Sequence, residues 1–367
     1  MKYQGQTLSV SVFGQSHAPA IGAVIEGLPA GFPVDTERLR AFLARRAPGQ
    51  GAFTTARKET DAPEFLSGLV DGVTCGAPVC AVIYNRDQRS RDYEALRETP
   101  RPSHADWPAT VKYGKSYDIR GGGPFSGRLT APLCVAGGIA LQMLETRGIR
   151  IGAHIASVAA EADEAFDPVS VGPADFQRIA ENGFPTLSRE AGARMLEAIA
   201  AAREAGDSVG GTVECAATGL PVGLGGPLFE GLESALAAAL FAIPAVKGVE
   251  FGSGFGAAAL RGSEHNDPYT VRDGQIRTVT NHAGGLVGGM TTGMPLLVRA
   301  AFKPTPSIAR PQKSVRLSDR TETILTVEGR HDPCVVPRAV PVVEAVAALV
   351  LLDRILSERA DLMGGDK

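Results

Sequence analysis

The chain has 367 residues, a formal net charge of -3 and 21% charged residues. That is enough length for one large core or two lobes, with no single-signed field, so no nucleic-acid partner is expected. Its five cysteines are odd in number and form no CxxC pair, which argues against a disulfide framework and against a metal site of the zinc type, and for a reducing, cytoplasmic setting.

In chain order, strand-length apolar or alternating runs predict strands over 8–13 and 21–26. The loop GQSHAPA between them is too short for a crossover helix, so the two are expected to pair antiparallel with that loop at their tip. Asp35 then caps a helix with Leu39, Phe42 and Leu43 on one face, stopping near 47–49. After a strand over 77–84, the run 133–144 behind Pro132 is apolar on nearly every face and stops at Gly148, the pattern of a central buried helix. A strand over 149–157 follows, then a helix capped by Ser188, amphipathic through Met195, Leu196 and Ile199 and ending at Gly206. Beyond a strand over 211–217 lie a helix from 232 to about 242 with Pro244 past it, strands over 296–302 and 321–327, and a last helix over 342–356 started by Pro341. The N-terminal MKYQGQTLSV has no continuous apolar h-region, and no run of about 18 apolar residues is seen, so no membrane is expected.

The strings VIEGLPAG at 24–31 and AATGLPVG at 216–223 both end a strand-like run and both lead into a helix. They hint at duplication: one domain over 1–367 with similar halves at roughly 1–150 and 205–360, packed through their helices. The expected class is α+β and not a doubly wound parallel sheet.

Five of the six histidines fall in turn-rich strings: His17, His104, His265, His282 and His331. Only His154, in the alternating IGAHIAS, reads as an ordinary strand residue. Imidazole changes charge near neutral pH when a partner is supplied, so histidines beside Gly, Arg and Asp point to acid–base work. Glycine is abundant, at 44 residues, and lets backbone approach a ligand, while Arg46, Arg120, Arg128, Lys303 and Arg330 stand beside such loops as neutralising charge. A polyanionic ligand is expected. YGKS at 113–116 lacks the leading glycine of a P-loop, GGLVGG misses the spacing of a dinucleotide fingerprint, and no Ser–His–Asp order marks a hydrolase. The residues by themselves reach an enzyme that handles anions with histidine acid–base groups.

Nine strings in order, FGQSHAPAIGAVIEGLPAG, RRAPGQ, NRDQRSRDY, RPSHADWPATVKYG, RGGGPFSGRLTAP, IPAVKGVEFG, TNHAGGLVGGM, KPTPSI and GRHDPCV, resemble the chorismate synthase family over nearly the whole chain. The resemblance implies central helices sandwiched between antiparallel sheets, a homotetramer, and 1,4-anti elimination of phosphate from 5-enolpyruvylshikimate 3-phosphate to give chorismate. It implies reduced FMN as cofactor, with no net redox change, and leaves NADPH as a candidate reductant. By the same resemblance His17 is the acid near the departing phosphate, His104 meets the N1 edge of the reduced flavin, Asp332 stands near N5, and Ser16 and Ser126 support proton relay. Arg46, Arg128 and Arg338 are implied for substrate or nicotinamide-phosphate anions. For FMN the implied residues are Pro124, Phe125, Ser126, Ala245, Gly288, Lys303, Pro304, Thr305, Pro306, Ser307 and Arg330.

The chain departs from the commoner family strings GESHG and GGGRSSARET at Gln15, Ala18, Pro124 and Leu129, and carries Ala52 where many relatives have arginine. Pro124 has no N–H to donate to a flavin oxygen. A flavoprotein oxidoreductase and a catalytically silent flavin-binding relative are the alternatives to the lyase.

Overall fold

The structure, a computed structural model, describes residues 1–49, 61–86, 95–327 and 331–358; Ala52 and Arg330 lie outside the described residues. The first sheet uses β1 (Lys2–Gln4), β2 (Ser9–Gly14), β3 (Ala20–Glu26) and, past helix α1 (Thr36–Arg46), β4 (Glu64–Ser67), the short hairpin β5 (Leu69–Val70) and β6 (Val73–Thr74), and β7 (Val79–Tyr84). Its order is β1-β2-β3-β7-β4, antiparallel throughout. Helices α2 (Asp106–Tyr113) and α3 (Thr130–Glu145) lead to β8 (Arg150–Val158), β9 (Glu161–Ala162), α4 (Pro173–Glu181), α5 (Arg189–Glu204), β10 (Gly211–Thr218), α6 (Leu232–Phe241) and β11 (Val246–Phe251). Then come α7 (Gly262–His265), the hairpins β12 (Tyr269–Arg272) with β13 (Gln275–Thr278) and β14 (Leu286–Val287) with β15 (Met290–Thr291), and β16 (Leu296–Phe302). The second sheet is ordered β11-β16-β10-β8-β9, again antiparallel. A last hairpin, β17 (Gln312–Arg316) with β18 (Thr321–Leu325), precedes α8 (Val336–Ser357).

The class is α+β, and the helices form the middle layer. α3 packs on β2, β3 and β7, α8 packs on β8 and β10, and the two helices pack on each other, with α1 and α6 completing the layer. One hydrophobic cluster runs through both interfaces. A Cβ at Gly137 would collide with Ala345, so glycine is what lets α3 and α8 approach this closely. The segment Gly127–Glu145 is long and apolar enough to cross a membrane by composition, but here most of it is covered by protein.

The expected caps form: Asp35 accepts from Arg38 N at 2.9 Å and Ser188 from Ala191 N at 3.2 Å. Pro341 is a correction. It lies inside α8, which starts at Val336. In the second turn the ring removes a single intrahelical bond, and from Val336 to Ile355 every residue but Arg338 is buried, so packing outweighs the local penalty. The helices α2 and α4 and the hairpins of β12 to β15 fall in stretches where no element was expected.

The two GLP strings sit in matching surroundings. Thr74 Oγ1 donates to Pro29 O and accepts from Phe32 N; Thr291 Oγ1 donates to Pro221 O and accepts from Leu224 N. Each threonine ends a two-residue hairpin strand whose successor, β7 or β16, pairs with the strand that the GLP string follows.

Near the end of α8 the Asp353 carboxylate, 2% exposed, accepts from the backbone N–H groups of Gln6, Thr7 and Leu8 at 2.7 to 2.9 Å. It ties the β1–β2 turn to the helical layer. Asp353→Ala strands three donors and is expected to cost about 2 to 3 kcal/mol, with Asp353→Asn intermediate; urea unfolding midpoints measure both, and an unchanged midpoint for the alanine variant refutes the clamp.

On the outer face of the second sheet, Glu250, Arg299, Glu214 and His154 are successive cross-strand partners. His154 is fully buried, with Nε2 at 3.0 Å from Glu214 and Nδ1 at 3.0 Å from Asp163. His154 is a strand residue, as read, but not an ordinary one: it joins a buried ladder of ionisable side chains between Asp163 and Glu214. Burial opposes its charge, but the hydrogen bonds to Asp163 and Glu214 outweigh burial and raise its pKa, while both carboxylates are held low. The raised imidazole stabilises the fold fully below the unfolded value of about 6.5 and loses that contribution as pH rises through the folded value. The carboxylates lose theirs as pH falls below about 4. The urea midpoint is therefore expected to drop as pH is raised above neutrality, and His154→Gln to abolish that drop; a parent midpoint that stays level on the alkaline side refutes it.

Candidate active site

A cleft of about 680 Å³, within the span of about 300 to 1,000 Å³ usual for small-molecule sites, opens among loops and helix ends from distant parts of the chain. Its wall takes Ser16 from the β2–β3 loop, Arg46 from the end of α1, His104 from the turn before α2, residues 124–128 before α3, Ala245 between α6 and β11, Lys247 near the start of β11, and Asp332 and Arg338 around the start of α8.

The glycine loop at 121–123 organises the two histidines. Gly121, Gly122 and Gly123 all have positive φ, at 60°, 83° and 53°, a conformation glycine adopts without steric cost. A Cβ at Gly121 would collide with His17 and Ser16, and one at Gly122 would lie 3.3 Å from His104 Nε2. Two imidazoles distant in sequence are thus pressed against consecutive residues of one backbone. Gly123 O accepts from Ser16 N at 3.3 Å, and Gly122 O from the Tyr117 hydroxyl at 3.3 Å.

His104 is built in from one side. Its Nδ1 is 2.6 Å from Asp106 Oδ1 and 3.0 Å from Arg101, whose Nε and second guanidinium nitrogen also bond Asp106, at 2.7 and 2.8 Å. Arg101 reaches Ser307 Oγ at 3.1 Å, joining this triad to the KPTPS loop. With Nδ1–H donating to Asp106, Nε2 beside Gly122 is the atom left to take or give a proton. Burial disfavours the charged Asp106, but hydrogen bonds from Arg101 and His104 overcome that and hold it well below the carboxylate range. For His104, burial dominates: it lowers the pKa, Arg101 adds to the lowering, and Asp106 offsets only part. An anionic ligand against the ring acts in the opposite direction.

The arginines come with counter-charges. Arg46, 2% exposed, and Arg128 both bond the fully buried Asp61, whose carboxyl burial would raise but the two guanidiniums hold low. Arg46 also donates to Thr130 Oγ1 and Gly127 O, each at 3.0 Å. Arg338 bonds Asp332 and donates to Arg46 O at 3.0 Å. Asp61 has φ 50°, strain of a kind that collects at functional sites.

Most residues implied for the site come together. Ser16, Arg46, His104, Phe125, Arg128, Asp332 and Arg338 line the cleft, as do Pro124, Ser126, Ala245, Lys303, Thr305, Pro306 and Ser307. His17 lies behind Gly121, and Pro304 is an exposed member of the same loop. Thr305 Oγ1 is buried with no hydrogen-bond partner among the described residues. Gly288 does not line the cleft; it is an exposed turn residue between β14 and β15. His331 lines the cleft, whereas His265 and His282 pair edge-on with centroids 5.8 Å apart and do not. Sequence reasoning gave no role to Asp61 or Lys247. Lys247 stood inside the string IPAVKGVEFG, and nothing around Asp61 marked it.

A second chamber of about 540 Å³ adjoins the cleft, sharing Met1, Pro124, Ser126, Thr130, Ala242 and Pro244 with it. Its farther wall is mostly apolar, with Leu133, Ala239 and Val346, and holds Asp353.

Fold and cleft together define an α+β protein in which histidines and cationic side chains from distant segments gather at one cleft. The family described as chorismate synthase matches residues 8–356. Chorismate synthases of Thermococcus gammatolerans and Thermococcus kodakarensis are each 49% identical to this chain, covering 97% of it and 98% of their own length; that of Lancefieldella parvula is 46% identical, with 96% of each chain covered. A solved structure titled "Crystal Structure of Chorismate Synthase" superposes with a TM-score of 0.74 at 26% identity, over 96% of this chain and 92% of that one. The chain belongs to the chorismate synthase family.

Proposed function

We propose that the chain catalyses the 1,4-anti elimination of phosphate from 5-enolpyruvylshikimate 3-phosphate, giving chorismate, with reduced FMN as cofactor. The observation that carries this reading is the pair His17 and His104 held against Gly121 and Gly122 beside a cation-rich cleft. The chemistry supplied by bound reduced FMN is transient donation of electron density as the carbon–oxygen bond breaks, without net oxidation. The partnerless Thr305 hydroxyl and the lysine-bearing rim suit a phosphorylated cofactor, which would engage both.

In this reading His17 gives a proton to the departing phosphate. His104, its Nδ1 fixed by Asp106, holds a proton at Nε2 toward the electron-rich ligand. Asp332 takes part in removing the ring proton, and Ser16 and Ser126 position their neighbours. Arg46, Arg128 and Arg338 bind substrate anions; Pro124, Phe125, Ser126, Ala245, Arg330 and the loop Lys303, Pro304, Thr305, Pro306 and Ser307 bind FMN. The same proposal includes a single domain of two related halves, a cytoplasmic location and a homotetramer. Exposed Phe229 and Phe255, at 94% and 85%, support apolar subunit contacts.

The test is anaerobic turnover with photoreduced FMN and the enolpyruvyl substrate. Phosphate and chorismate released together, with the flavin still reduced, support the lyase. NADPH oxidation without phosphate release supports an oxidoreductase, and flavin binding with neither supports a silent relative.

A further inference from the structure

β11 and β16 pair in register from Phe251 opposite Val298 to Gly248 opposite Ala301, but the next partners are Val246 and Phe302. Lys247 is therefore the extra residue of a β-bulge. Two residues earlier Ala245 has φ 76°, a strained value for a residue with a Cβ, and its carbonyl accepts from Lys303 N at 3.0 Å. Two irregularities within three residues thus fall on the cleft rim, and bulges commonly re-aim a side chain at a site.

The charges around Lys247 point the same way. Every arginine of the cleft wall bonds a carboxylate: Arg101 takes Asp106, Arg46 and Arg128 share Asp61, and Arg338 takes Asp332. Among the described residues, Lys247 and Lys303 are the lining Lys or Arg side chains without one. Lys303 makes only a 3.4 Å bond to its neighbour's carbonyl. Burial and then the nearby Lys247 lower the Lys303 pKa, so the two ammoniums are close enough to repel. Among the described residues no carboxylate pairs with either ammonium, and an ammonium pair of this kind suits a compact dianion that neutralises both.

We propose that Lys247 is a ligand-binding residue, aimed by the bulge to close with Lys303 on the phosphate monoester of a bound ligand. The reading rests on the proposed function for the identity of that ligand, FMN or 5-enolpyruvylshikimate 3-phosphate, both of which carry such a group.

The test compares the parent chain with Lys247→Gln and Lys247→Arg, all three first checked for equal melting temperature, as expected for an exposed side chain without an ion pair. Calorimetry at low salt titrates inorganic phosphate, then FMN against riboflavin, then the enolpyruvyl substrate against its dephosphorylated form. Lys247→Gln is expected to weaken inorganic phosphate and the phosphorylated member of one pair by about 10- to 100-fold, the range for a charge-assisted bond, and to leave the unphosphorylated member unchanged; Lys247→Arg keeps most of the affinity. The affected pair tells whether the clamp holds the cofactor or the substrate. Equal weakening of riboflavin and FMN, unchanged affinities throughout, or a parent that binds no phosphate overturns the clamp. A parent that binds phosphate through Lys247 but forms no chorismate overturns the functional reading and leaves the clamp standing.

Discussion

His104→Ala and His17→Ala are each expected to lower the turnover number by about 10² to 10⁴, the range for a positioned acid–base group, with a much smaller change in KM. The geometry behind this is specific: Asp106, itself held by Arg101, fixes Nδ1 of His104, so a single nitrogen is directed to the cleft. Because burial lowers the His104 pKa in the ligand-free chain and a bound anion raises it, the acid-dependent limb of kcat/KM should fall at lower pH than that of kcat. Those two profiles report the free enzyme and the complex respectively. Near-parental turnover in either alanine variant removes that histidine from the chemistry, and coincident limbs would show that the ligand does not act on the ring's charge.

Asp61→Ala is expected to be the most destabilising single change in the cleft, at about 3 to 5 kcal/mol. Its carboxylate is fully buried and shared by two guanidiniums that are themselves almost wholly buried, so truncation leaves like charges facing each other with no counter-ion. Asp61→Asn keeps the shape but not the charge and should recover only part of the loss. Chemical denaturation measures both, and a loss below about 1 kcal/mol for the alanine variant, the value of an exposed pair, would mean that the guanidiniums find other partners. Substrate affinity should fall alongside stability, because Arg46 and Arg128 line the cleft through this carboxylate.

What could be read from the sequence was what is local. Asp35 and Ser188 cap helices because a cap needs only the residues beside it, and the antiparallel pairing of β2 and β3 follows from the shortness of GQSHAPA. RPSHAD announced its own chemistry, since Arg101, His104 and Asp106 bond within six residues of chain. Pro341 misled because propensity is a local rule, and α8 is held by contacts with α3 and the second sheet. His154 and Asp61 were illegible for the same reason: their partners, Glu214 in one case and Arg46 and Arg128 in the other, arrive from other segments. Lys247 needed the strand register, because a bulge is a mismatch between two strands and neither strand carries it alone.

The clasp formed by Thr74 at the end of β6 and by Thr291 at the end of β15 amounts to the same small experiment run twice in one polypeptide. Replacing each threonine by valine in turn deletes identical chemistry from two settings, so any disparity between the outcomes measures setting alone. Solvent, expression history and unfolded chain are common to both arms.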